Sequence, residues 1–271
     1  IAMFRNLSMP AELIEQTFKL KDTRGWKLTK ARRELAEDKN WDAYFTRILY
    51  RPFDTRYIYY TQKMVDWPRL EVMPHMMQDN LGLISPKRVE TRIPWAHILC
   101  ANEIIEHVAV SLKTIDYVFP LYLYPDKQKK DLLSHIKEAG QRQPNINPDI
   151  FAALSEIYKN APTPEETFYY IYAVLYSGIY RKKYAEFLKI DFPRIPFTRN
   201  YKLFCKMGEY GKRLVDLHLL KSKEIDPPTA KFKGKAENKV EKVSYQENKV
   251  VINKDQYFEG ITEEVWKYQI G

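Results

Sequence analysis

The most regular hydrophobic pattern in the chain lies between Ala161 and Pro196, where apolar residues recur at the three- and four-residue spacing of one helical face. The recurring positions are Phe168, Ile171, Tyr172, Leu175 and Ile179. Thr163 can cap the start of this helix, Pro164 suits its first position, and Glu166 can complete a capping box. The pattern predicts one long helix, which must end before Pro193 because the residue before a proline is driven out of helical backbone.

Helical periodicity also occurs in residues 1–40, around a break at residues 22–25, in residues 147–157 and in residues 201–220. The apolar positions of the last stretch are Leu203, Phe204, Met207, Leu214, Leu217 and Leu220. We expect that helix to pack against the long one. Gly178 interrupts the long helix at a cost of about 1 kcal/mol relative to alanine, so it indicates a kink or the close approach of another backbone.

Alternation of apolar and polar residues, the period of a β-strand, follows in the middle third of the chain. It predicts strands at residues 50–61, 80–85, 98–112 and 115–124, with a short helix between Asp66 and Met77. Two shorter runs, at residues 250–252 and 256–258, predict a small β element before a last helical turn capped by Thr262. The fold class predicted is α+β, with a twisted, mainly antiparallel sheet flanked by a helical region that contains one long helix.

These elements divide the chain into four regions. We expect a helical lead-in over residues 1–50, a sheet-containing region over 51–160, a helical region over 161–225, and a charged linker with a small β element over 226–271. The stretch from Lys221 to Asn248 is rich in Lys and Glu and poor in large apolar residues, which predicts an exposed, mobile linker or hairpin. The first residue is an isoleucine, from which we expect a fragment of a longer polypeptide.

The amino-acid composition limits the kinds of protein that this chain can be. At 271 residues and 45% apolar content, the chain can bury a sizeable core. It carries 44 Lys and Arg against 35 Asp and Glu, a net charge of +9 that suits a polyanionic partner but also an ordinary basic protein. Cys100 and Cys205 are too few and too far apart for a disulfide framework or a metal site, which fits the reducing cytoplasm. No apolar run is long enough to predict a membrane span.

The short motifs of common catalytic sites are missing from this sequence. It contains no G-x-x-x-x-G-K-[ST] phosphate loop, no H-E-x-x-H zinc motif and no G-x-S-x-G nucleophile motif. Residues 226–229, Asp-Pro-Pro-Thr, are similar to the D-P-P-Y tetrapeptide of amino-methyltransferases, but they lack its aromatic residue and follow a charged stretch, which favours a linker. We therefore expect no catalytic residue, no metal ligand and no bound cofactor in this chain.

A first group of polar residues falls where the predicted sheet would present its loops. Its members are Arg69, His75, Gln78, Lys87, Arg88 and Arg92, with Asn80 among them. Arg and Lys can donate to guanine O6 and N7, and Gln and Asn can pair with adenine N6 and N7, so these side chains have the chemistry of major-groove reading. Spacing alone favours a solvated surface instead.

A second group of cations lies near the end of the long helix, and its like charge suits contacts to phosphates. Its members are Arg181, Lys182, Lys183, Arg194 and Arg199.

Several stretches of the sequence also resemble a known family. The clearest stretch is YYIYAVLYSGIYRKKYAEFLKIDFPRIP, and further stretches in the same order are YRPFDTRYIYYT, WPRLEVMPHM, NLGLIS, YVFPLYLYP, NINPDIF and GKRLVDLHLL. Together they resemble the C-terminal specificity region of type ISP single-chain restriction-modification enzymes and of related large adenine-N6 DNA methyltransferases.

This resemblance implies a target recognition domain that reads duplex DNA in the cytoplasm. On that implication we expect the first group of polar residues to read bases and the second to hold phosphates. The methyltransferase module would precede residue 1, nuclease functions would lie elsewhere in the polypeptide, and S-adenosylmethionine, ATP and Mg²⁺ would belong only to those modules. Two other hypotheses stay open: a protein-interaction or scaffold module that docks a partner through its aromatic helix, and an undetected nuclease. Salt-dependent binding to duplex DNA distinguishes DNA reading from the protein-interaction module, and metal-dependent cleavage would reveal the nuclease.

Overall fold

The computed structural model describes residues 1–90, 94–125, 141–268 and 270. Within these ranges the helices are α1 (Ala2–Arg5), α2 (Ala11–Phe18), α3 (Leu28–Glu37), α4 (Met73–Met76), α5 (Pro148–Tyr158), α6 (Pro164–Tyr176), α7 (Gly178–Lys183), α8 (Phe187–Ile190), α9 (Tyr201–His218) and α10 (Glu263–Lys267). The strands are β1 (Phe45–Arg51), β2 (Asp54–Tyr59), β3 (Gly82–Pro86), β4 (Leu99–Ala101), β5 (Ile104–Ile105), β6 (Asp116–Pro120), β7 (Tyr122–Leu123), β8 (Gln143–Pro144), β9 (Lys231–Lys233), β10 (Ser244–Gln246), β11 (Lys249–Val251) and β12 (Tyr257–Glu259).

The α+β class is confirmed, and the strands divide among several small sheets. Their strand orders in the described ranges are β2-β1-β5, β4-β3-β6, β7-β8 and β10-β11-β12-β9. All pairs are antiparallel except β1 with β5. The sheet β4-β3-β6 is central for the site described below, because β3 carries a candidate loop at each end.

Two strand predictions need correction. The region predicted as a helical lead-in already contains β1, which pairs with β2 from Phe45 opposite Tyr59 onwards. Residues 98–112 do not form one strand, because only β4 and β5 are extended there. The carboxylate of Glu106 accepts the Val108 amide at 3.0 Å, and that of Asp116 accepts the Val110 amide at 2.7 Å. In a continuous strand these amides would donate to a neighbouring strand, so the two side chains replace strand pairing here.

The predicted capping box of α6 is confirmed: the Glu166 amide donates to the Thr163 hydroxyl at 3.1 Å, and the Thr163 amide donates to the Glu166 carboxylate at 2.8 Å. The single long helix is wrong, because Ser177 adopts extended backbone and its hydroxyl starts α7. A Cβ on Gly178 would meet no atom within 4 Å, so no other backbone in the described ranges approaches this glycine closely. Gly178 instead marks the interruption between α6 and α7. Ile179 beyond the break is 82% exposed.

Helices α6 and α9 pack together at backbone distance, which confirms the expected pairing. A Cβ on Gly211 would overlap the carbonyl oxygen of Tyr169. Phe204 and Val215 of α9 are buried, whereas Leu203 and Leu220 from the predicted apolar set are about half exposed. The contact face of α9 therefore includes its glycines, Gly208 and Gly211, which a hydrophobic pattern does not mark.

Three hydrophobic clusters fill the interior of the described chain. The largest joins α5, α6 and α9 to buried residues of the loop after β3 and of β4, among them Val89 and Cys100. The second lies under the sheets β2-β1-β5 and β4-β3-β6, and the third holds α1 to α3 against Tyr59 of β2. The hydroxyl of Tyr176 donates to the Ile98 carbonyl at 2.6 Å and so ties the end of α6 to the central sheet.

The stretch from Lys221 to Asn248 is not simply a linker, because it contributes β9 and β10 to the sheet β10-β11-β12-β9. Its connection between these strands is held by Gln256, which is 1% exposed. Gln256 accepts the Asn238 amide at 3.1 Å and donates to the Asn238 side chain at 2.6 Å. The low apolar content of this stretch predicted a mobile segment, but hydrogen bonds between strands order it. The small β element and the cap by Thr262 are confirmed.

Helices with the length and apolar composition needed to cross a bilayer are absent from the part of the chain that the structure describes.

Replacing Gly211 by alanine should destabilise the chain, because the added methyl group must displace the backbone of α6 at Tyr169. We expect a loss of about 1–3 kcal/mol in the free energy of unfolding, measured by urea denaturation. Gly178→Ala is the matched control, since its methyl group enters open space at the start of α7. Equal losses in the two variants would contradict the close helix contact.

Asp116 should make stability depend on pH. Burial raises its pKa from 3.8 to about 7, against the opposing hydrogen bond from the Val110 amide. Because the folded-state pKa lies above the unfolded value, the contribution is complete below pH 3.8 and is lost as pH rises through 7. Between pH 5 and 8 the chain should lose roughly 2 kcal/mol relative to Asp116→Asn, measured by denaturation at each pH. Parallel pH profiles for the two proteins would contradict this assignment.

Candidate nucleic-acid interface

The first predicted group does not form one cluster, because β3 separates its members. His75, Gln78 and Asn80 precede this strand, whereas Lys87 and Arg88 follow it. At about 3.3 Å per extended residue, seven residues from Asn80 to Lys87 span roughly 20 Å. The structure therefore places the candidates at opposite ends of the central sheet. Arg92 lies outside the described residues.

Asn80 is a structural residue and not a base reader. Its amide nitrogen donates to the carbonyls of His75 and Tyr122, at 3.0 and 2.8 Å. Its amide oxygen accepts the backbone amides of Leu81 and Tyr122, at 2.9 and 3.1 Å. Because the side chain is 7% exposed and makes all four bonds, it joins the start of β3 to β7 and leaves no donor or acceptor for a ligand.

The remaining members that precede β3 in the sequence differ in exposure. The Nδ1 atom of half-buried His75 accepts the Tyr124 amide at 3.0 Å, and burial lowers its pKa below the ordinary value of 6.5. That ring is held neutral and anchored, so His75 is a weaker candidate than its sequence position indicates. Gln78 and Arg69 are exposed, and the Arg69 guanidinium lies 5.7 Å from the centre of the Trp67 ring. These two side chains remain accessible.

At the other end of β3, the loop with Lys87 and Arg88 is fixed at its base. Val89 is 4% exposed, and its amide donates to the Lys189 carbonyl of α8 at 3.0 Å. Lys87 and Arg88 are exposed beside this anchor, and neither forms an ion pair with a residue that the structure describes. The loop thus presents two cations on a backbone that the core holds in place.

Three aromatic rings that the sequence analysis did not select lie beside this loop. Phe192 packs edge to face against Tyr117 and Phe119 of β6, with ring centres 5.2 and 5.3 Å apart. The Lys87 ammonium lies 6.0 Å from the centre of the Phe192 ring. Alternation along β6 is the signal that could have identified Tyr117 and Phe119, because it places both on the face opposite the core.

Arg181 from the second group is turned into the protein. Its Nε atom donates to the Leu175 carbonyl at 2.6 Å, and its guanidinium lies 4.5 Å from the centre of the Tyr176 ring and 5.6 Å from that of Trp95. The last carbonyls of a helix lack partners within the helix, so Arg181 serves as a cap for the end of α6. The prediction that it holds a phosphate is not retained.

The other four members of the second group lie at the surface. Lys182 and Lys183 are exposed in the last turn of α7, and Arg194 and Arg199 are exposed on the extended segment that follows α8. We call residues 192–199 the strap. Tyrosine hydroxyls donate to three of its carbonyls: Tyr180 to Arg194 at 2.8 Å, Tyr170 to Pro196 at 2.8 Å, and Tyr158 to Thr198 at 2.6 Å. The strap therefore holds its arginines on an ordered backbone.

Residues 226–229 are exposed in the connection between a short 3-10 turn and β9. They do not follow a buried strand, so the linker interpretation of this motif matches the observed geometry. Across the described ranges, no three His, Cys, Asp or Glu side chains lie close enough together to hold a metal ion.

Comparison with known proteins gives a family and a fold. The family described as Type ISP C-terminal specificity domain matches residues 3–271. Among solved structures, the ATP-dependent Type ISP restriction-modification enzyme LlaBIII bound to DNA is 20% identical, with a TM-score of 0.69 over 100% of this chain and 17% of that one. No curated protein sequence matches the chain.

Two further structures share the fold. The DrdV–DNA complex is 22% identical, with a TM-score of 0.71 over 100% of this chain and 27% of the other. A nuclease-deletion mutant of the Type ISP enzyme LlaGI with a DNA substrate mimic is 19% identical, with a TM-score of 0.59 over 97% of this chain and 19% of the other. The chain thus spans about a quarter or less of the proteins it resembles.

Asn80→Ala should lower the free energy of unfolding by about 1–3 kcal/mol, because it leaves the buried carbonyls and amides of β3 and β7 without partners. Gln78→Ala, two residues away and exposed, should change stability by less than about 0.5 kcal/mol. Urea denaturation of both variants measures the difference. A stable Asn80→Ala protein would contradict the structural role of this amide.

Proposed function

Because the chain belongs to the family of Type ISP C-terminal specificity domains, we propose that it reads the sequence of duplex DNA for a larger restriction-modification enzyme. Two structural relatives support this, since LlaBIII and DrdV are bound to DNA in their solved structures. Adenine methylation and cleavage, with S-adenosylmethionine, ATP and Mg²⁺, belong to other modules of the same polypeptide. We assign this function to the cytoplasm, where Cys100 and Cys205 remain reduced.

The observation that carries the proposal is the anchored loop after β3. Choosing one base pair over another requires donors held in a fixed place, because a freely moving side chain finds a partner on every base. The bond from the Val89 amide to the Lys189 carbonyl fixes the backbone beside Lys87 and Arg88, whose side chains are exposed. These two side chains are our base-reading residues.

Because β3 separates the members of the first group, the proposed interface extends along this strand. Asn80 and Lys87, on either side of this strand, are separated by roughly 20 Å, which corresponds to about six base pairs at 3.4 Å per step. Gln78 on one side of the strand and Lys87 and Arg88 on the other can therefore face different parts of one site, and exposed Arg69 is a further candidate before the strand. The exposed cations Lys182, Lys183, Arg194 and Arg199 are assigned to the phosphates that flank it.

A protein-docking function through the aromatic helix has less support. Phe168, Tyr172 and Leu175 of α6 are 4%, 0% and 0% exposed, so the stripe that would dock a partner is already packed in the chain's own core. The aromatic face of α6 therefore stabilises this fold.

Arg88→Ala should relax the preference at one base pair and cost about 1–3 kcal/mol on the cognate duplex, because it removes donors to a base edge. Lys182→Ala should weaken all duplexes alike and reduce the slope of log K against log salt by about 1, because it removes one phosphate contact. Binding would be measured with the full-length enzyme on cognate and scrambled duplexes at several salt concentrations.

Lys206→Ala on α9 is the matched control, since Lys206 is exposed and outside both groups. It should leave affinity and salt slope unchanged. The proposed division of labour is wrong if Arg88→Ala and Lys182→Ala cause the same uniform loss.

A further inference from the structure

The outward face of β6 carries aromatic residues where a solvent face would carry polar ones. Asp116, Val118 and Pro120 of this strand are buried. Tyr117 and Phe119 alternate with them and are 45% and 40% exposed, even though Phe192 packs between their rings. We call Tyr117, Phe119 and Phe192 the aromatic ridge.

Stability of the fold does not account for this ridge. On an antiparallel strand with one buried face, packing of the core needs only the inward positions to be apolar. Large rings left partly in water contribute less than buried ones and favour association with another surface. Phe192 packs perpendicular to both Tyr117 and Phe119, and these contacts restrain the rings, so a ligand would meet a preformed surface.

Two cations without an ion-pair partner among the described residues stand beside the ridge. Lys87 lies over the Phe192 ring, and Arg88 follows in the same anchored loop. Lys189 of α8 pairs with Glu186 at 3.2 Å, so this pair adds no net charge. Two carboxylates are also present: Asp191, which accepts the Phe192 amide at 2.9 Å, and the exposed Glu90. DNA is therefore indicated by the rings that adjoin the base-reading cations and not by net charge.

We propose that the aromatic ridge contacts thymine methyl groups in the major groove that Lys87 and Arg88 read. This inference rests on the proposed function and adds residues that set specificity. The carbon faces of these rings cannot make the hydrogen bonds that identify guanine or adenine, but they can cover the thymine C5-methyl group, which is an apolar feature of the major groove. Burying one methyl group corresponds to a roughly fourfold gain in affinity.

The test uses the full-length enzyme and the DNA sequence that it selects from a random pool. Each thymine of that sequence is replaced singly by deoxyuridine, which removes only the C5-methyl group, and the dissociation constant is measured on each duplex. The wild-type enzyme should lose roughly fourfold at one or two positions. Phe119→Ala and Tyr117→Ala should bind the thymine duplex more weakly and no longer respond to deoxyuridine there.

Two further variants guard against misfolding as the cause. Phe119→Leu keeps apolar volume on β6 and should bind with a reduced response to deoxyuridine, and Tyr57→Ala on β2 removes an aromatic side chain that is 82% exposed away from the ridge. The Tyr57→Ala enzyme should retain the wild-type response. Thermal unfolding of each variant shows whether it is folded.

The possible outcomes test the ridge proposal and the proposed function independently. If the wild-type enzyme prefers its selected sequence but no deoxyuridine position loses its effect in Phe119→Ala or Tyr117→Ala, the ridge proposal is overturned and DNA reading stands. Variants that lose cleavage while binding every duplex like the wild type would mark the ridge as a contact to another module, which also overturns it. A wild-type enzyme that selects no sequence overturns both.

Discussion

The backbone contact between α6 and α9 is the constraint on which the rest of this structure depends. It is possible because Gly211 has no side chain to separate α9 from the Tyr169 carbonyl. With the two helices at this distance, the aromatic residues of α6 fill one core together with α5, Val89 and Cys100. The hydroxyls of tyrosines on α5, α6 and α7 then reach the strap and satisfy its carbonyls, so the end of the helical region becomes an ordered surface.

The proposed interface draws its order from that core. A single backbone hydrogen bond from Val89 to Lys189 joins the loop after β3 to α8, and Phe192 at the start of the strap joins the same region to β6. Cations and rings from three separate parts of the chain thereby share one surface. A specificity domain needs this arrangement, because base reading depends on side chains whose positions do not change when the rest of the enzyme moves.

Elements governed by neighbours in sequence were predicted well. The capping box at Thr163 and the Thr262 cap of α10 form as expected. The errors occur where side chains take over backbone partners or where distant segments pair. Ser177 ends α6 although the apolar stripe continues, and Glu106 and Asp116 interrupt a strand-like pattern. Within a stretch whose composition predicts a linker, β9 pairs with distant β12, and β10 forms a hairpin with β11.

By itself, the sequence determined the α+β class, the paired helices and the family, because caps, periodicity and characteristic stretches of residues act over a few neighbouring positions. The tertiary structure decided which polar residues are available to a ligand. Arg181 and Asn80 look like binding residues in the sequence, but Arg181 donates its Nε hydrogen to the end of α6 and Asn80 uses its whole amide at strand ends. Lys87 and Phe192, in contrast, become neighbours only through the contact of two distant segments. Burial and partnership are long-range properties, since they depend on how whole elements pack and not on local spacing.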